Sequence, residues 1–131
     1  MKELRVIIAG SRDFDDFPKL ISSCTDILCK ITNQNNDLDK IRIISGAARG
    51  ADQLGEQYAK LVGYEVSRFP ADWDGLGKRA GYMRNSEMAK YAVADDNYGV
   101  LIAFWDSKSK GTKHMIDLSE KNGLEVHIVR F

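Results

Sequence analysis

Leu4-Arg5-Val6-Ile7-Ile8-Ala9-Gly10-Ser11-Arg12-Asp13 is an almost unbroken aliphatic run that stops on a glycine, a hydroxyl and a guanidinium. A half-exposed strand alternates apolar and polar residues, whereas this run does not; it reads as a strand covered on both faces. The pattern then recurs. Ile41-Arg42-Ile43-Ile44 ends in Ser45-Gly46, Tyr64 to Phe69 ends in Pro70, Gly99 to Phe104 ends in Trp105-Asp106, and Leu124 to Val129 supplies a fifth run.

Helical spacing fills the intervals. Phe17, Leu20, Ile21, Cys24, Ile27, Leu28 and Ile31 form one apolar stripe, followed by a polar loop from Asn33 to Asp39. Ala51, Leu54, Tyr58, Leu61 and Val62 mark a second helix that Gly63 closes. Pro70 to Gly81 reads as a long glycine-rich loop leading into a helix from about Tyr82 to Ala92, and a fourth helix runs from Gly111 to Lys121, stopped by Asn122-Gly123. Five strands alternating with four helices predict an α/β fold: a Rossmann-like doubly wound parallel sheet with helices on both faces, in one domain spanning residues 1–131.

Composition narrows the function. The 131 residues carry 19 Lys+Arg and 19 Asp+Glu, and zero net charge disfavours a basic face that grips a long nucleic acid. The apolar runs are far shorter than the ~20 residues of a membrane span, and Gly10-Ser11-Arg12 interrupts any signal-peptide core, so no membrane association and a cytoplasmic location are expected. Cys24 and Cys29 lack metal-ligand spacing and read as two half-buried thiols on the first helix; no metal and no resident cofactor is expected.

In a parallel sheet, ligands bind outside the carboxyl ends of the strands, which directs attention to the strand-to-helix loops. Three of them place Gly beside Ser or Thr before a helix: Gly10-Ser11-Arg12, Ser45-Gly46 with Arg49-Gly50, and Gly111-Thr112. Glycine, free backbone N–H groups and a hydroxyl suit an anion, and Arg12 and Arg49 add forks that hold phosphate or carboxylate bidentately. Two roles are open to Asp52, a hydrogen bond to a ribose or compensation of the helix dipole. Trp73 and Trp105 stand beside the same edge, where each either stacks on a base or packs.

Other patterns fail on spacing. In Gly75-Leu76-Gly77-Lys78-Arg79-Ala80-Gly81 the third glycine comes one residue late for a dinucleotide fingerprint, and Arg79 stands where a P-loop needs Ser or Thr. Asp13, Asp15 and Asp16 read as a solvated helix cap, and neither His114 nor His127 is spaced for a nucleophile.

Taken in order, Gly10-Ser11-Arg12-Asp13-Phe14, Ser45 to Asp52, Phe69-Pro70-Ala71-Asp72-Trp73, Met83-Arg84-Asn85-Ser86-Glu87-Met88 and Gly111-Thr112 resemble the YspA-type, YpsA-related branch of the SLOG superfamily. The resemblance spans nearly the whole chain. It implies a Rossmann-like domain that binds nucleotides or nucleotide-derived ligands, and it groups the chain with the DprA/SMF DNA-processing proteins and the Lonely-Guy phosphoribohydrolases. In the latter, an Arg of an R-K-x-x-M helix and the Glu of P-G-G-x-G-T-x-x-E cleave the N-glycosidic bond. Arg84 and Met88 match the first motif; Gly111-Thr112 matches part of the second, with Asp106 to Lys110 in place of P-G-G-x and Met115 in place of the carboxylate. A thioether cannot stabilise a cationic transition state, which sets glycosidase chemistry against a plain binding role.

The expected function is therefore a sensor or binding module for a phosphorylated, nucleotide-like small molecule. Gly10, Ser11, Arg12, Ser45, Gly46, Arg49, Gly111 and Thr112 would surround the phosphate, Asp52 the sugar, and Gly50, Trp73, Asn85, Trp105 and Asp106 the rest of the ligand, while Arg84 closes over the anion and is the candidate catalytic residue. The alternative is hydrolysis of an N-glycosidic bond; single-stranded DNA binding ranks third. A homodimer is expected, with Tyr82, Met83 and Tyr91 as its surface.

Overall fold

The computed structural model describes residues 2–77 and 79–131; Lys78, in the stretch compared with a P-loop, lies outside them. Strand β1 (Lys2–Gly10) is followed by α1 (Phe17–Gln34), β2 (Leu38–Ser45), α2 (Ala51–Val62), β3 (Glu65–Arg68), α3 (Trp73–Leu76), α4 (Arg79–Val93), a 3-10 turn at Ala94–Asp96, β4 (Tyr98–Trp105), α5 (Lys110–Lys121) and β5 (Glu125–Arg130). The strands form one parallel sheet in the order β3-β2-β1-β4-β5, the doubly wound arrangement expected.

The period-2 geometry of β1 sorts its side chains between two cores. Leu4, Val6 and Ile8 meet Leu20, Cys24, Leu28 and Ile31 of α1 and Tyr58 and Ala59 of α2 on one face. Ile7 and Ala9 meet Met88, Ala89 and Ala92 of α4 and Met115 and Ile116 of α5 on the other. A strand buried on both sides can carry no alternation, which is why its sequence is continuously aliphatic.

Local chemistry sets the element ends. Asp16 caps α1 by accepting from the Lys19 N–H at 3.1 Å, as the acidic run predicts, and Gly63 ends α2 in the left-handed region (φ 87°), its N–H bonded to Ala59 O at 2.8 Å. Ser109, not Gly111, marks the start of α5, its hydroxyl accepting from Thr112 N–H.

Three expectations need correction. Residues 70–81 are not one loop: Asp72 caps the short α3 by accepting from Gly75 N–H at 2.9 Å, and α4 begins at Arg79, three residues early. Gly75 and Gly77 hid that turn, because glycine is a poor helix former. The polar loop Asn33–Asp39 is shorter than expected, since α1 reaches Gln34 and Leu38 already pairs with Lys2. The cysteines are not half-buried: five helical residues turn the chain by about 140°, so Cys24 lies in the core and Cys29 in solvent.

The sheet's tightest joint is the end of β1. Gly10 pairs with Phe104 so closely that a Cβ there would overlap the Phe104 carbonyl. Gly10→Ala must therefore push β1 from β4, and a loss of about 3 kcal/mol or more is expected in urea unfolding. Gly63→Ala meets no neighbour within 4 Å and should cost only the left-handed strain, about 1–2 kcal/mol. Equal losses at the two positions would contradict this account of the joint.

Candidate functional site

Successive connections run from β1 to β2 to β3 in one direction and then cross to β4 on the other side of β1. The loops after β1 and β4 consequently diverge, one turning to each face of the sheet, and leave a crevice at the switch point. Here it is a cleft of about 690 Å³ bounded by these loops and by α4.

Backbone bonds fix its floor. Ser11 N–H donates to Phe104 O at 2.9 Å, and the Ser11 hydroxyl, itself buried, accepts from Asp106 N–H at 3.3 Å. Asp106 folds back on its own loop: one carboxylate oxygen accepts from Lys108 N–H and Ser109 N–H, both at 2.8 Å. Those two donors hold its pKa below the usual carboxylate range.

One wall is a relay from α4. Arg84 donates from Nη1 to Gly46 O at 2.6 Å and from Nε to Asn85 Oδ1 at 3.1 Å, while Asn85 Nδ2 donates to Gly111 O at 3.3 Å and lies 3.2 Å from His114 Nδ1. The β2–α2 loop, α4 and α5 are thereby tied together across the cleft. Burial, helped by repulsion from Arg12, lowers the pKa of Arg84 against the attraction of Asp52. Arg12 lies in the open, its guanidinium 5.8 Å from the centre of the Trp73 ring. Among the described residues the arginine ion pairs are made by Arg5, Arg42 and Arg68, so Arg12 and Arg84 face the cleft with no carboxylate within 4.0 Å.

Three carboxyl groups also line the cleft, Asp13, Asp52 and Asp106, and the most enclosed is Asp52, in the first turn of α2 and only 5% exposed. One oxygen accepts from Ala48 N–H at 3.2 Å. Burial pushes its pKa up to about 6, despite the pull of Arg84 and of that N–H. A carboxyl that titrates near neutrality inside a cleft is equipped to exchange protons or to hydrogen-bond a hydroxyl in either state.

Ten of the residues singled out in the sequence line this cleft: Gly10, Ser11, Arg12, Asp52, Trp73, Arg84, Asn85, Asp106, Gly111 and Thr112. Arg49 and Gly46 line instead an adjoining cavity of about 360 Å³, against Pro70 and Ala71. Three do not line either. Ser45 donates to Glu56 at 2.6 Å and accepts from Ala47 N–H, which uses its hydroxyl internally. Gly50 (φ 84°) packs on the carbonyls of Ser11 and Arg12, where no Cβ fits, so it docks two loops together. Trp105 donates to Ser109 O at 3.0 Å and lies under Arg130. Met115 serves the core, as its helical spacing suggested, and its edge reaches the cleft.

Gly81 and Ser109 also line the cleft although the sequence did not mark them as site residues, and so does Tyr82, which it had assigned to a partner surface. Gly81 allows the tip of the Trp73 indole to lie 3.2 Å from where a Cβ would stand, and it sits one helical turn before Arg84, a spacing that marks a shared face. Tyr91 does not belong to the exposed aromatic group: its ring stacks on Arg5 and tilts against Phe69. Among the described residues no group of His, Cys, Asp and Glu is placed to hold a metal ion, and no helix is long and apolar enough to cross a membrane.

Sheet order, crevice and facing guanidiniums define a Rossmann-like domain with an anion-compatible site at its switch point. The chain belongs to the YspA, cpYpsA-related SLOG family, whose model matches residues 4–75. The Gene 61 protein of Mycobacterium phage D29 is similar, 33% identical over 127 residues that cover 93% of each chain. No solved structure matches. Family membership points to nucleotide-related binding or glycosidase-like chemistry.

Asp52 leaves a signature in stability. Its carboxyl binds a proton more tightly folded (pKa about 6) than at the ordinary value of 3.8. It is neutral to folding below pH ~4 and increasingly opposes it as pH rises through 6. Asp52→Asn should therefore stabilise the protein at pH 7.5, by up to about 3 kcal/mol, and the gain should vanish by pH 4. A variant less stable than the parent at pH 7.5 would show that the carboxylate supports the fold.

Proposed function

We propose that the cleft binds a nucleotide or nucleotide-derived phosphorylated small molecule and that the protein acts as a sensor or binding module. The observation that carries this reading is the pair of guanidiniums, Arg12 and Arg84, which face the cleft without carboxylate partners. A half-buried cation bonded directly only to neutral oxygens is incompletely compensated by Asp52, and a phosphate supplies the remaining countercharge through charge-assisted bonds. The loops of Gly10-Ser11 and of Gly111-Thr112 give backbone room around such an anion. Asp52 is suited to a sugar hydroxyl and Trp73 to the face of a base. Arg84, expected to close over the anion, lines the cleft, whereas Arg49, expected beside the same phosphate, lines the neighbouring cavity.

One observation favours a second reading. A buried carboxyl with a pKa of about 6 lies in the cleft although Met115 occupies the position of the Lonely-Guy carboxylate. Asp52 would then take the proton of the water that attacks the anomeric carbon while the bond from that carbon to the base nitrogen breaks, and the departing base would take its proton from solvent.

A single panel tests both. Nucleoside monophosphates, ADP-ribose and NAD are incubated with the protein, and the melting temperature and any released base are measured. Stabilisation without release is expected, with affinity at least tenfold weaker in Arg12→Ala, an exposed position whose loss leaves the fold intact. Released base that disappears in Asp52→Asn would establish the hydrolase instead, and salt-sensitive retention of a single-stranded oligonucleotide by the unliganded protein would favour the DNA reading.

The same reading carries two further elements. Cys24 and Cys29 are thiols, which supports a cytoplasmic location. Tyr82 and Met83, exposed by 49% and 45% on α4, support a homodimer through that helix. Light scattering should give twice the chain mass, and the monomer mass would remove the dimer.

A further inference from the structure

The main cleft does not end at its wall. The cavity of about 360 Å³ lies directly beyond it, between the β2–α2 loop and the segment that follows β3, and the two share Arg12, Ala48, Trp73 and Arg84. The shared wall carries two guanidiniums, Arg12 and Arg84, that among the described residues have no carboxylate within 4.0 Å, one from each side of the sheet's carboxyl edge. The trough thus has two guanidiniums at its centre and a chamber on either side, with Lys108 lining the larger and Arg49 the smaller.

We propose that the ligand is a two-armed diphosphate, a nucleoside diphosphate bearing a second group, whose diphosphate lies between Arg12 and Arg84 and whose arms occupy the two cavities. This rests on the phosphate-binding reading above and deepens it by naming the ligand class. A monophosphate places its charge at one end of the molecule and needs one chamber. Charge flanked by two chambers matches a ligand charged in its middle.

The sizes agree with that division. At about 690 Å³, the larger chamber falls well within the range of small-molecule sites and accepts a nucleoside. The smaller, about 360 Å³, is at the lower end of that range and suits a sugar-sized group. Their linings differ in kind. The larger is lined by the Asp52 carboxyl and by the hydroxyls of Ser109 and Thr112, which bond each other at 3.1 Å. The smaller is built from Gly46, Ala47, Pro70 and Ala71, with Arg49 as its exposed cation. Asp52 lines only the larger chamber, close to the Arg84 end of the shared wall, where its carboxyl is placed to meet the ribose next to the diphosphate.

The wall is also locally constructed for this division. Trp73 reaches it from α3 because Gly81 leaves space for its indole, and Arg84 is held to Gly46 O on the same wall. A side chain at Gly46 would run into Asp52 and Arg84 together, so glycine there lets the loop approach the Arg84 guanidinium on the shared wall.

The test compares matched pairs by calorimetry: AMP with ADP-ribose, and UMP with UDP-glucose. Within whichever pair binds, the two-armed member should be at least tenfold tighter, and Ala71→Phe, which fills only the smaller chamber, should abolish that advantage while leaving the monophosphate affinity unchanged. Thermal melting of Ala71→Phe confirms that it is folded, and Arg49→Ala, at an exposed position, should show the same selective loss in smaller degree. Equal affinity for both members of a pair, or equal weakening of both by Ala71→Phe, overturns the proposal while phosphate binding stands. No binding by any of the four overturns both.

Discussion

Everything in the molecule hangs on β1, a strand hydrogen-bonded on both edges and covered on both faces. Its last residue approaches β4 so closely that only glycine fits against the Phe104 carbonyl. Ser11 continues the contact past the end of the sheet, bonding Phe104 O through its backbone and Asp106 N–H through its hydroxyl. The cleft floor is thus an extension of the sheet, not a separate loop structure. Moving either strand would move the anion-facing loops with it.

That rigid floor sets up the electrostatics above it. Arg84 is tethered by Gly46 O and Asn85, and Asn85 in turn by Gly111 O, so the guanidinium has lost its orientational freedom before any ligand arrives. Preorganised charge binds an anion more strongly than a flexible cation because less side-chain entropy is lost. Asp52 offsets part of that charge and is raised toward neutrality by its burial. A fold that buries the Asp52 carboxyl near a half-buried guanidinium at a switch point gives up stability at neutral pH for a site with usable charge of both signs.

Much of the architecture was legible in the chain, because burial on two faces writes itself as continuous aliphatic runs and helices as 3.6-residue stripes. Where glycine replaced those signals, at α3, the helix went unread. The site was legible as a set of loops: residues at 10–12, 84–85 and 111–112 do converge. Ser45, Gly50 and Trp105 share the same loop chemistry but spend it on Glu56, on the β1–α1 loop and on Ser109. Sequence shows which residues stand at a strand end; it does not show whether a neighbour has already consumed their hydrogen bonds.

The sequence by itself determined the parallel sheet, its covered strands and the family, since these follow from local periodicity and short motifs. It also stated an overall charge of zero, with 19 residues of each sign. Only the tertiary structure decided how that balance is divided: Arg5, Arg42 and Arg68 are spent in ion pairs with Glu3, Glu65 and Glu56, whereas Arg12 and Arg84 meet at a wall between two chambers. Pairing depends on distances of a few ångströms between residues remote in the chain, and such distances exist only once the helices have packed on the sheet.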